Sequence, residues 1–149
     1  MDKARFNFNK WNTIIGWFTF GIALLTYTLT VEPTMSFWDC GEYIATAAKL
    51  EVGHPPGAPL YQMIGAFFAM FATDVTKIAL MVNMMSVFSS AFMILFMFWS
   101  SSMILRKLVI RFSTTDMQSE TNNNLSKSNE IVILGSSFVG SLAYTFSDS

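Results

Sequence analysis

The sequence predicts an all-α, multi-pass membrane protein, and three observations carry that prediction. The composition is 52% hydrophobic and only 13% charged, against about 25% charged in soluble domains. Two long runs, Thr13–Val31 and Ile78–Leu105, contain no charged residue. A third apolar run, 131–146, contains Gly135, Gly140 and several Ser, the small residues that let membrane helices pack closely.

Residues 1–12 are polar and basic (Lys3, Arg5, Lys10). The 19 residues of 13–31 would span about 28 Å as a helix, close to one hydrocarbon core. A signal peptide also starts with a basic stretch. This run is longer than an h-region, however, and no A-x-A site comes after it, so an uncleaved first transmembrane helix is expected. Trp11, Trp17 and Tyr27 sit near its ends, where aromatic belts lie. Glu32-Pro33 ends it, because Pro33 cannot donate a helical hydrogen bond.

The segment 32–77 is expected to be an outer loop with two short interfacial helices. The first, 37–51, would start from Ser36 as N-cap with Asp39 as the capping-box acid. Val52-Gly53-His54-Pro55-Pro56-Gly57 breaks it. The second, 59–72, can begin with Pro59 in its first turn and is too short to span. The run 78–105 is the second spanning helix, with Asn83, Ser86, Ser89 and Ser90 facing protein. Residues 106–130 read as a polar cytoplasmic loop, and 131–146 as an incomplete third span.

Seven of the nine basic residues, Lys3, Arg5, Lys10, Arg106, Lys107, Arg111 and Lys127, fall on one side of this layout. The positive-inside rule therefore puts the N-terminus and the 106–130 segment in the cytoplasm. Lys49 and Lys77 are left outside. Net charge is −1 and no basic cluster alternates with aromatics, which argues against a nucleic-acid partner. The lone cysteine, Cys40, rules out a disulfide within these residues and supplies no metal pattern. It reads as a small half-buried apolar residue.

Chemistry-bearing residues concentrate between Ser36 and Tyr61. Asp39 and Glu42, three apart, share a helix face. Beside Phe37, Trp38 and Tyr43, partial desolvation would raise a carboxylate pKa and make it a better base. The competing reading makes Asp39 a capping acid and Glu42 a solvated first-turn acid. His54 can bind a phosphate, orient a carboxylate or ligate a metal, or simply hydrogen-bond the backbone of its own turn. Pro55 and Pro56 stiffen that turn, and Gly53 and Gly57 permit close approach or positive φ. One histidine with two acids is too little to assign a metal site.

The string FWDCGEYIATAAKLEVGHPPGAPLY, placed directly after a first transmembrane helix, resembles the domain-of-unknown-function 2723 family. That family includes the transmembrane protein 260-like O-mannosyltransferases. More broadly, the chain is similar to the N-terminal part of type C (GT-C) glycosyltransferases, which use polyprenyl-phosphate sugars. The ending GSLAYTFSDS is also similar to that family's third helix and the start of its second outer loop.

The resemblance implies transfer of a mannose-like sugar from a polyprenyl-phosphate carrier to an acceptor protein or glycan on the outer face. It implies Asp39 as base and Glu42 as its partner. It also implies His54, Tyr43 and Tyr61 as substrate- or phosphate-binding residues, with Gly53, Pro55, Pro56 and Gly57 as a structural turn. Some GT-C enzymes use a divalent metal ion and others none, and the resemblance leaves this open. The expected setting is a bacterial inner membrane, or the endoplasmic reticulum in a eukaryote. Family members are much longer, so the chain is expected to be an N-terminal piece that needs further helices to act. The alternative from the residues alone is a small non-catalytic membrane protein that packs against partner helices.

Overall fold

A computed structural model describes residues 7–36, 38–55, 57–116 and 125–147, with side chains throughout except at 113–116. Among the described residues there are five α-helices and no strand. They are α1 (Phe8–Thr30), α2 (Cys40–Lys49), α3 (Pro59–Ala69), α4 (Ile78–Asp116) and α5 (Lys127–Thr145), with a 3₁₀ turn at Val75–Lys77 leading into α4. Two stretches, Phe8–Thr30 and Val75–Phe112, are long and apolar enough to cross a membrane. The chain divides into two compact units, one of residues 1–23 and 91–149, the other Leu24–Ser90.

The first unit combines the start of α1, the later part of α4, and α5. Its core is Phe8, Phe98, Ile133 and Leu134, with Trp99, Leu105 and Val109 packed against it. A polar link is built into this apolar setting. Ser102 Oγ donates to Asn12 Oδ1 at 2.7 Å, and Trp99 Nε1 donates to the Asn12 carbonyl at 3.3 Å. Both Asn12 and Ser102 are buried, so each needs the other to satisfy its polar atoms. Thr13, Thr19, Thr28 and Thr30 of α1 return their hydroxyls to the carbonyl four residues back. That arrangement lets a Thr-rich helix enter an apolar medium with its side-chain donors satisfied.

The segment 106–130 is not a loop throughout. α4 continues to Asp116 and α5 begins at Lys127, while 117–124 lie outside the described residues. The reason is packing. Leu105 and Val109 continue the apolar face of α4 onto the core, and Arg106 stacks its guanidinium 4.5 Å from the Phe8 ring centre. Arg106 also lies 3.7 Å from the largely buried Glu130 of α5.

The second unit holds the end of α1, α2, α3 and the start of α4. α2 and α3 pack through small residues: a Cβ on Gly65 would lie 2.9 Å from the Cβ of the fully buried Ala47. On α3 the face opposite Gly65 presents Leu60, Met63, Ile64 and Phe67 to the outside. Asn83 of α4 donates through Nδ2 to the carbonyls of Glu32 (2.9 Å) and Thr34 (3.1 Å). It thereby holds the chain on either side of Pro33, whose ring offers no N–H of its own.

The helix expected over 37–51 starts later. Trp38 has φ 68°, a left-handed conformation costly for an L-residue with a large side chain, and α2 begins only at Cys40. The Ser36 capping box therefore does not form. Asp39 is the N-cap, and its side chain makes no capping hydrogen bond. At the other end Leu50 takes the left-handed position (φ 53°), and the Leu50 and Glu51 amides donate to the Ala47 and Thr46 carbonyls.

Candidate functional site

The residues singled out in the sequence gather in the second unit around the start of α2 and the turn before α3. Glu42 lies in the first turn of α2. Its Oε1 accepts from the His54 backbone N–H at 2.8 Å, and its Oε2 meets His54 Nδ1 at 2.6 Å. With the carboxylate ionised, that contact needs the proton on Nδ1, which leaves Nε2 as the exposed ring nitrogen. The turn that presents His54 is closed by the Gly57 amide donating to the His54 carbonyl at 3.1 Å, with Gly57 at φ 70°. Pro55 is exposed at its tip; Pro56 lies outside the described residues.

Gly53 packs closely against this pair. A Cβ there would lie 3.1 Å from Glu42 Oε1 and 3.7 Å from both Gln62 Nε2 and Thr46 Cγ2. Any larger residue would press on the carboxylate that holds the turn.

The electrostatics of Glu42 run against the expected upward shift. The carboxyl is held below its ordinary range, chiefly by the backbone hydrogen bond from His54 and then by the bond to the ring; burial opposes this and loses. The carboxylate is half-exposed, so desolvation is weak beside two short hydrogen bonds. Both Glu42 oxygens are engaged by a residue twelve positions away, and neither is paired with Asp39. Asp39 is exposed, and its carboxylate makes no hydrogen bond or ion pair among the described residues.

Beside this pair lies a cavity of about 460 Å³. It is lined by Cys40, Tyr43 and Ile44 of α2, Ala58 and Tyr61 around the start of α3, and Asn83 and Ser86 of α4. The Tyr43 and Tyr61 rings meet edge to face, 5.6 Å apart at 77°. Burial, and after it the neighbouring Cys40 and Tyr43, pushes the Tyr61 hydroxyl pKa up. Cys40 is exposed rather than half-buried, because α2 starts at Cys40 itself and leaves it at the helix end. Sequence reasoning does not place Cys40, Asn83 and Ser86 with the tyrosines. The usable signal is an Asn and a Ser three apart, on one face of an apolar helix, close to its polar end.

Tyr43 and Tyr61 are thus brought together, as are Glu42 and His54. Among the described residues, no group of three or more His, Cys, Asp or Glu is arranged to hold a metal ion. Lys49 lies 4.0 Å from Glu51 in an exposed pair of little energetic weight.

An all-helical chain with two apolar helices of spanning length, and a polar site on the short helices between them, fits an integral membrane protein. The chain belongs to the family described as the protein O-mannosyl-transferase TMEM260 N-terminal domain, whose model matches residues 39–149. Over 76 residues it is 34% identical to the protein O-mannosyl-transferase tmem260 of Dictyostelium discoideum, a match that takes in 48% of this chain and 9% of that protein. The chain therefore spans well under two thirds of that relative's length. No solved structure matches it significantly.

Proposed function

We propose that this chain is the N-terminal membrane segment of a glycosyltransferase of the GT-C type, related to the domain-of-unknown-function 2723 family. It moves a mannose-like sugar from a polyprenyl-phosphate carrier to a hydroxyl of an acceptor protein or glycan on the outer face of the membrane. Asp39 accepts the proton of the acceptor hydroxyl as its oxygen bonds to the sugar C1. The C1–O bond to the carrier phosphate breaks, and the phosphate leaves as an anion that needs no strong acid. Glu42 acts through His54, holding the imidazole so that Nε2 faces outward toward the carrier phosphate. Tyr43 and Tyr61 form a wall of the substrate site. The N-terminus is cytoplasmic and residues 32–77 are outside, in a bacterial inner membrane or the endoplasmic reticulum. Further helices complete the enclosure of the lipid-linked sugar.

The observation that carries this reading is the family match, which begins at Asp39 and takes in every residue of the Glu42–His54 and Tyr43–Tyr61 arrangement. An exposed, uncommitted carboxylate at Asp39 supports it as the group free to take a proton.

The test is the Asp39→Asn variant of the full-length protein, assayed in membranes with a polyprenyl-phosphate mannose donor and a hydroxyl-bearing acceptor peptide. Loss of a general base typically costs about 10²–10⁴-fold in rate. A drop of that size at unchanged expression is expected. Wild-type transfer by the variant removes Asp39 from the mechanism.

A further inference from the structure

We propose that the cavity between α2, α3 and α4 holds the neutral sugar ring of the substrate and not its phosphate. This rests on the glycosyltransferase reading only for the choice of sugar; the site itself is argued from its lining.

Among the described residues that line the cavity, none is cationic. A phosphate placed there would lose its hydration against the aliphatic groups of Ile44 and Ala58 and against phenol, thiol, amide and hydroxyl groups, with no compensating positive charge. His54, the nearest candidate anion partner in the sequence, is not part of the lining. The groups present suit a polyol instead. Asn83 commits its Nδ2 to the Glu32 and Thr34 carbonyls, so the atom it has left for a ligand is Oδ1, an acceptor. Ser86 lies one turn further along the same face of α4 and adds a hydroxyl that donates and accepts.

The two tyrosines contribute hydroxyls of the same kind. Their rings, set at 77° to one another, add an apolar corner against which the C–H face of a pyranose can rest. The Tyr61 phenol is neutral at neutral pH and able to donate. A volume near 460 Å³ is at the small end for ligand sites and accommodates one hexose ring with its immediate substituents. The sugar would thus be read by α4 as well as by the outer segment, and Asn83 and Ser86 become specificity-determining residues.

Cys40 lines the same cavity and is exposed, so its alkylation reports occupancy without any need for catalysis. The experiment uses the full-length protein in nanodiscs, with any cysteine other than Cys40 replaced. The rate of N-ethylmaleimide reaction at Cys40 is measured with methyl α-D-mannopyranoside, inorganic phosphate or n-octanol. The expected result is saturable, several-fold slowing by the mannoside alone. Ser86→Ala should then raise the mannoside concentration needed by about fivefold, the loss of one hydrogen bond.

No slowing at saturating mannoside overturns the proposal. So does equal slowing by octanol, which marks a merely apolar hole, or slowing by phosphate alone, which marks an anion site. Intact protection with failed sugar transfer would sink the glycosyltransferase reading and leave the sugar site standing. Failed protection with intact transfer would do the reverse.

Discussion

Glu42 and His54 are the pair that ties the start of α2 to the turn before α3. Twelve residues apart, they are joined by two hydrogen bonds to one carboxylate, and Gly53 leaves the room for that contact. The folded pKa of Glu42 is depressed. Its stabilising contribution is therefore present above the ordinary carboxylate value and is lost as pH falls through the lowered folded value. Glu42→Gln removes the charge at nearly constant shape and should flatten the acid limb of the stability profile. Thermal melts in detergent between pH 7 and pH 3 check this, and superimposable profiles for variant and wild type would contradict it. The acid pair at i and i+3 was legible in the sequence, but its partnership was not. Spacing placed Glu42 beside Asp39, whereas hydrogen-bond geometry ties it to a histidine that only the turn brings back.

At the scale of elements, α2 and α3 are short helices that owe their stability to each other, since neither has the length to persist alone. Their closest approach is at Gly65 against Ala47. Gly65→Ala is expected to destabilise the protein by about 1–3 kcal/mol, the usual cost of overpacking. The readout is a lowered melting temperature, and Ala47→Gly in the same chain should recover part of it by giving the new methyl room. An unchanged melting temperature for Gly65→Ala would mean the two helices can separate freely. The existence of both helices could be read from Pro59, the Gly- and Pro-rich break and the apolar runs. The start of α2 could not, because Trp38 adopts a left-handed conformation that no local propensity favours. Likewise the extension of α4 past Leu105 depends on contacts of Arg106, Leu105 and Val109 that charge alone hides.

For the molecule as a whole, α4 has 39 residues, about 58 Å of helix, nearly twice a hydrocarbon core. Its basic residues, Arg106, Lys107 and Arg111, lie in its later part. With the N-terminus inside, a cysteine placed at Lys77 should react with a membrane-impermeant reagent from the outer side, and one at Lys107 only after the cytoplasmic side is opened. The reverse labelling would invert the orientation and put Asp39 on the wrong side for an outer-face acceptor. Composition and run length were enough to establish the helical class and the two apolar helices of spanning length. These are local properties of the chain, fixed by the lengths a bilayer demands. Folding in three dimensions was needed to join Glu42 to His54, to leave Asp39 uncommitted, and to bring Asn83 and Ser86 into a cavity with Tyr43, Tyr61 and Cys40. Those are long-range contacts between helix faces, set by which small residues allow close approach, and no spacing along the chain encodes them directly.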